Sequence, residues 1–125
     1  MKLAVIPVTA FQQNCSLVIC SKTNRAAFVD PGGEVDRLFE VLEKRGATLE
    51  KVLVTHGHID HCGGVAEVAE RAGVPIEGPH PDEVFWIDQL DNQGRMFGVP
   101  GARRFTPDRW LQGGDEVSVG EMRFE

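Results

Sequence analysis

The sequence predicts an α+β fold in which a mixed sheet carries helices on one face. The first 73 residues show three strand patterns, a helix pattern, a fourth strand and a second helix, an order typical of such a sheet. The length of 125 residues is enough for one domain, 1–125, with a single core. The hydrophobic content of 42% and the charged content of 26% are ordinary for a globular protein.

The predicted strands are short apolar runs rich in β-branched residues. Three come first, at 2–8 (KLAVIPV), 15–20 (CSLVIC) and 26–30 (AAFVD), and a fourth at 51–55 (KVLVT) follows the first helix. The first run also has the composition of a signal peptide. Pro7 interrupts it and no small-residue cleavage site follows, so we interpret it as a strand.

Two helices are predicted at 34–46 and 63–73 because their apolar residues recur at helical spacing. These residues are Val35, Leu38, Phe39 and Leu42 in the first helix, and Val65, Val68, Ala69 and Ala72 in the second. The first helix has acidic residues early and basic residues late, as the helix dipole favours, and Gly46 follows its end.

The remaining chain is less regular. Residues 81–90 predict a short helix, and 91–108 predict a Gly- and Pro-rich loop that is either functional or mobile. Within that loop, RMFG at 95–98 either borders a substrate site or is simply mobile. Residues 110–125 predict a strand, a GG-D turn and two short strands joined at Gly120.

Charge and cysteine content limit the partners and the compartment. The net charge of −6 argues against nucleic-acid binding, and no apolar run reaches the ~18 residues that a membrane span needs. The three cysteines, Cys15, Cys20 and Cys62, are odd in number and form no disulfide framework. We therefore expect a cytoplasmic protein and leave a homo-oligomer open, while the net charge says little about small-molecule substrates.

The segment VTHGHIDHCGG at 54–64 contains three of the four histidines. His56 and His58 are two residues apart, so in an extended backbone both side chains reach one ion. Asp60 and His61 are adjacent, and in a loop entering a helix they reach a second ion. Imidazole nitrogen and carboxylate oxygen are ligands of zinc, with iron or manganese as alternatives. Two metals about 3.5–4 Å apart can share a hydroxide that attacks a substrate.

The histidine cluster and three single residues can also be interpreted without a metal-binding role. The whole cluster could be a surface loop with coincidental histidines. Cys62 is either a further ligand or a small residue at a helix start, and His80 is predicted to be a surface histidine. Asp30, in VDPGG, either forms a turn or accepts a hydrogen bond from a metal-bound histidine.

HGHIDH at 56–61 resembles the HxHxDH signature of the metallo-β-lactamase-fold hydrolases. FVDPGG before the first helix and KVLVTHGHIDH before the second follow the order of that superfamily. IPVTAFQQNCSLV and TPDRWLQGGDEVSVG are similar to its glyoxalase II-like members, the hydroxyacylglutathione hydrolases. The resemblance implies a four-layer αβ/βα sandwich. It covers all 125 residues but only the N-terminal half of that fold and part of the second half.

The resemblance also implies site roles. His56 and His58 would bind the first metal, Asp60 and His61 the second, and Asp60 would also orient the hydroxide. Asp30 matches an aspartate on the active-site side, which favours contact with a ligand histidine. The family completes its site with two histidines and a bridging aspartate from further along the chain. We therefore expect this chain to be a C-terminally truncated fragment with little activity alone, or one whose partner chain supplies the rest.

The function that the resemblance implies is hydrolysis of a glutathione thioester such as S-lactoylglutathione by a metal-bound hydroxide, with two zinc ions in the intact protein. Lactamases, phosphodiesterases and iron persulfide dioxygenases share the same ligand pattern and stay as alternatives. From another class, the chain could be a non-catalytic metal-binding fragment.

Overall fold

The structure is a computed structural model that describes residues 2–8, 13–57, 62–97, 102–112 and 114–124. At its centre lies a five-stranded sheet in the order β1 to β5. These strands are Lys2–Val8, Gln13–Ile19, Arg25–Val29, Thr48–Leu53 and Ile76–Glu77. β2 pairs antiparallel with both β1 and β3, whereas β4 and β5 run parallel to β3. The mixed sheet and its first four strands are confirmed, with ends shifted by up to three residues for β4.

Helices α1 (Val35–Lys44) and α2 (Val65–Ala72) cover one face of the sheet. The ring of Phe28 in β3 meets the ring of Phe39 in α1 edge-on, at a centroid distance of 6.3 Å. The guanidinium of Arg71, in α2, lies 4.5 Å from the centre of the Phe39 ring, so the two helices are neighbours. Every helix in the described residues is too short or too polar to cross a membrane.

The opposite face of the sheet holds a hairpin of β6 (Val117–Val119) and β7 (Met122–Phe124). Charged groups of alternating sign connect the two sheets. Buried Lys51 pairs with Glu77 at 2.7 Å, and Arg109 donates both to Glu77 at 3.2 Å and to a carbonyl just before β6 at 2.7 Å. Both hairpin strands and their turn at Gly120 are confirmed.

The predicted loop at 91–108 is wrong in its first part. A 3-10 turn (Pro81–Glu83) leads into α3 (Val84–Asp88), and α4 (Leu90–Phe97) follows. Gly94 lowers the helix propensity of α4, but it is buried together with Leu90 four residues earlier. Tertiary burial of this face therefore overrides the local signal. Arg95 to Phe97 are helical, so these three residues of RMFG are not in a loop, and Gly98 lies outside the described residues. That RMFG borders a substrate site stays a prediction.

The strand predicted at 110–112 is also wrong. The segment before it runs beside β5, where Gly78 donates to the carbonyl of Arg109 at 2.7 Å, but only one isolated bridge forms. The turn that follows is present because Gln112 donates its backbone N–H to the Asp115 carboxylate at 2.8 Å. Gly113 lies outside the described residues.

Candidate metal centre

The predicted ligands fall between the end of β4 and the start of α2, at the carboxyl edge of the sheet. His56 is described and exposed, whereas His58, Asp60 and His61 lie outside the described residues. Within the described part of the chain, no three His, Cys, Asp or Glu side chains lie close enough to hold one metal ion. The complete ligand set therefore stays a prediction.

A chain of hydrogen bonds joins Asp30 to His56 through Thr55. Asp30 is 6% exposed and directly follows β3 with a φ of 54°, in the left-handed region. Its carboxylate accepts from the backbone N–H of Thr55 at 2.7 Å and from the Thr55 hydroxyl at 2.5 Å. The same hydroxyl oxygen lies 2.9 Å from Nδ1 of His56. The loops that follow β3 and β4 are thus connected by side chains as well as by the sheet.

The donor and the acceptor of each hydrogen bond between His56, Thr55 and Asp30 can be assigned. The Thr55 hydroxyl donates its single hydrogen to the Asp30 carboxylate. The hydroxyl oxygen must then accept from the Nδ1–H of His56. Nε2 is the nitrogen that carries the lone pair in this tautomer, which is the form of imidazole that binds a metal.

The resemblance favoured contact between Asp30 and a ligand histidine. In the described residues Asp30 is joined to His56 through Thr55, and because His58 and His61 lie outside those residues, a direct contact with a ligand histidine stays a prediction. The signal for Thr55 was a hydroxyl residue directly before the first histidine of the motif. The role of Thr55 was missed because threonine is enriched in strands, so a threonine at the end of a strand needs no functional explanation.

Cys62 is fully buried, and its Sγ donates to the backbone carbonyl of His56 at 2.6 Å. This contact favours the interpretation of Cys62 as a small residue at the start of a helix, because its thiol is directed at the backbone. Cys15 lies in β2 and is also buried. Burial raises the pKa of the Cys15 thiol far above its usual range, and the nearby Asp30 carboxylate adds to the shift. Cys15 is therefore a neutral packing residue.

Gly57 lies between the first two histidines of the motif and is buried. A Cβ built on it would lie 2.8 Å from the backbone oxygen of Glu83 and 3.0 Å from the Cβ of Trp86, so only glycine fits. Its backbone N–H donates to the carboxylate of Glu83 at 3.0 Å. Gly64 is similarly close to the loop after β3, with its N–H donating to the carbonyl of Pro31 at 2.8 Å.

His80 has 47% of its side chain exposed, which confirms the predicted surface histidine. Its Nδ1 accepts from the backbone N–H of Asp82 at 3.0 Å and so begins the 3-10 turn. His80 also lines a cavity of about 570 Å³ that reaches Thr55. The other side chains around the cavity are mainly apolar and include Val29, Leu53, Leu111 and Val117.

Comparison with known proteins adds a family and a fold. A model of the metallo-beta-lactamase superfamily matches residues 8–125. Hydroxyacylglutathione hydrolase GloC of Haemophilus influenzae is 41% identical over 126 aligned residues, which cover 100% of this chain and 59% of that protein. The crystal structure of BLEG-1 B3 metallo-beta-lactamase is similar, with a TM-score of 0.81 at 27% identity, covering 98% of this chain and 59% of the other.

A second solved structure, of TTHA1623 in a di-iron-bound form, has a TM-score of 0.80 at 26% identity. It covers 91% of this chain and 56% of the other. The chain thus spans between 56% and 59% of the length of these three proteins. The likeness confirms the predicted α+β fold of the metallo-β-lactamase type over the part of that fold which the chain contains.

Proposed function

This chain belongs to the metallo-beta-lactamase superfamily, and from that premise we propose that the intact protein is a metal-dependent hydrolase of a glutathione thioester such as S-lactoylglutathione. The observation that carries the proposal is the hydrogen-bond chain from Asp30 through Thr55 to His56. A relative named hydroxyacylglutathione hydrolase supports the substrate class.

The residues of the motif have proposed roles. His56 and His58 hold a first metal ion, and Asp60 and His61 hold a second. Asp60 also orients the attacking water, and Asp30 acts through Thr55. The donor set of imidazoles and a carboxylate suits two zinc ions and also iron or manganese. The tautomer that Thr55 imposes on His56 fits a metal at Nε2.

A divalent metal bound there would lower the pKa of water toward ~7 and polarise the carbonyl that is attacked. The chain's own residues then act by position. Asp30 and Thr55 hold the imidazole of His56 at a fixed angle. The peptide group that follows His56 is held at its carbonyl by the Cys62 thiol and at the Gly57 N–H by Glu83. A thioester suits this arrangement because a thiol with a pKa of about 8.5 leaves with little help from a general acid.

The test is thioester hydrolysis by the intact protein, followed as loss of thioester absorbance with S-lactoylglutathione. We expect turnover that stops after chelation and returns when Zn²⁺, Fe²⁺ or Mn²⁺ is added back. His56→Ala should abolish turnover, whereas His80→Asn, which removes the imidazole outside the motif and keeps an acceptor for the N–H of Asp82, should retain it. Turnover that survives chelation would contradict the proposal.

Lactam hydrolysis is the second candidate, favoured by the structural likeness to a B3 metallo-beta-lactamase. The same preparation should be offered a β-lactam, a phosphodiester and glutathione persulfide with oxygen. Faster turnover of one of these would move the protein to another branch of the superfamily. Metal binding without any turnover would favour the alternative that the chain is a non-catalytic metal-binding fragment. The cytoplasmic location, the homo-oligomer and the fragment expectation stay predictions.

A further inference from the structure

Glu83 makes a contact that belongs to neither its own turn nor its own helix. It is the last residue of the 3-10 turn and directly precedes α3, where a carboxylate ordinarily caps the first turn of its helix. Its side chain makes no cap hydrogen bond with α3. Instead, Oε1 accepts from the backbone N–H of Gly57, 26 residues earlier in the chain, at 3.0 Å.

The donor of this hydrogen bond, Gly57, lies directly beside the candidate metal ligand His56. Gly57 is the residue after His56, so its N–H and the carbonyl of His56 belong to the same peptide group. That carbonyl accepts from the Cys62 thiol at 2.6 Å, so both sides of one peptide plane are held by side chains. The imidazole of His56 is held separately by Thr55. Both the backbone and the ring of His56 are therefore fixed.

Packing reinforces the same contact. Gly57 is buried against the backbone oxygen of Glu83 and the side chains of Trp86 and Ile87. Water cannot easily replace the carboxylate at a buried N–H, so the loss of Glu83 would leave that donor unpaired. The 3-10 turn that presents Glu83 is itself anchored by His80, whose Nδ1 accepts from the backbone N–H of Asp82.

From these contacts we propose that Glu83 is a positioning residue for the histidine segment (residues 54–64). Its carboxylate fixes the peptide between His56 and Gly57, and it thereby sets the direction of the His56 side chain toward a metal. Glu83 touches neither metal nor substrate and acts only through the Gly57 N–H. The proposal rests on the proposed metal function of His56, but the Gly57 contact itself can be measured without metal.

Four variants of the intact protein test the proposal. Glu83→Ala removes the acceptor, and Glu83→Met removes it while keeping the side-chain length, which serves if the alanine variant does not fold. Glu83→Gln keeps an acceptor oxygen and removes the charge. Asp82→Ala is the matched control, because it removes the neighbouring acid of the same turn, whose side chain is 90% exposed.

Two quantities should be measured: the affinity for Zn²⁺ by competition with a chromophoric chelator, and hydrogen exchange of the Gly57 amide in metal-free protein. We expect Glu83→Ala and Glu83→Met to weaken Zn²⁺ binding by roughly 10- to 100-fold, as outer contacts of metal ligands do, and to speed Gly57 exchange. Glu83→Gln and Asp82→Ala should behave like the parent protein in both measurements.

The proposal is overturned if Glu83→Met leaves both quantities unchanged, or if Glu83→Gln weakens Zn²⁺ binding as much as Glu83→Met, since charge and not the hydrogen bond would then be responsible. A parent protein that binds no Zn²⁺ would refute the proposed function instead. Gly57 exchange would then decide alone: faster exchange in Glu83→Met supports the positioning role, and unchanged exchange overturns it.

Discussion

The helix-covered face of the sheet and the loops at the carboxyl ends of β3 and β4 are stabilised in different ways. The face is apolar, with Phe28 and Leu38 both fully buried between the sheet and α1. The loops are held by directed polar contacts: Asp30 with Thr55, and Glu83 with Gly57. Asp30 adopts a left-handed backbone that non-glycine residues rarely adopt.

The residues that stabilise the fold are therefore expected to differ from those that orient the metal ligands. Apolar burial is non-directional, so many residues of suitable size can supply it. A hydrogen bond at a fixed angle depends on one atom of one side chain. Changes to the face should therefore alter the free energy of unfolding, and changes to the loops should alter metal affinity.

The largest effect on stability is expected at the face. Leu38→Ala should lower the free energy of unfolding by ~2–5 kcal/mol, because it removes buried methyl groups and leaves a cavity. The folded fraction should still bind zinc like the parent protein. Leu3→Ala is the matched control, since Leu3 is 54% exposed, and it should cost less than ~0.5 kcal/mol. Chemical denaturation measures both, and equal losses would contradict the assignment of the core.

Gly57→Ala should affect stability and metal affinity together. Its Cβ would lie 2.8 Å from the backbone oxygen of Glu83, so the two segments must move apart at a cost of ~1–3 kcal/mol. Gly73→Ala offers a contrast, because Gly73 has a φ of 66° and a Cβ at that position would have no atom within 4 Å. It should lose ~1–2 kcal/mol from backbone strain alone and keep its zinc affinity. Equal zinc affinities in the two variants would show that the close packing at Gly57 does not affect metal binding.

Thr55→Val should leave the fold intact and weaken zinc binding by roughly 10-fold or more, because the shape is kept and the link to His56 is lost. In metal-free protein, ¹⁵N NMR should show the Nδ1–H tautomer of His56 in the parent and a mixture in the valine variant. Thr55→Ser restores the hydroxyl and should restore both properties. Identical tautomer populations in the threonine and valine proteins would refute the role given to Thr55.

The smallest effect concerns Cys20, which lies just after β2 at the other end of the sheet. Hydrogen bonds from the Thr23 side chain and from the backbone N–H of Glu121 lower the pKa of the Cys20 thiol from 9.0 to about 7. Because the folded state favours the thiolate, this contribution is present above pH 9 and is lost as the pH falls toward 7. The stability difference between the parent and Cys20→Ala should therefore grow from about pH 7 to about pH 9.

Thr23→Ala removes the largest cause of that shift and should reduce the growth. Denaturation curves at several pH values measure it. A difference between the parent and Cys20→Ala that is independent of pH would show that folding does not lower the pKa of the Cys20 thiol.

The sequence predicted the elements that depend on local periodicity and did not predict those that depend on contacts between residues far apart in the chain. Val35, Leu38 and Leu42 predicted α1 because helical spacing is local information. Gly94 obscured α4, since only tertiary packing shows why a glycine is accepted there. The contact of Glu83 with Gly57 joins residues 26 apart and leaves no local signal.

In the proposed site, the histidine segment binds metal through His56 in an orientation set by Asp30 and Thr55. Zinc content and zinc affinity should be measured for the intact parent protein, for His56→Ala and for His80→Asn, which keeps an acceptor for the N–H of Asp82. We expect tight zinc binding by the parent and by His80→Asn, and the loss of at least one tightly bound ion in His56→Ala. Equal zinc binding by all three proteins, or none by the parent, would contradict the proposed site.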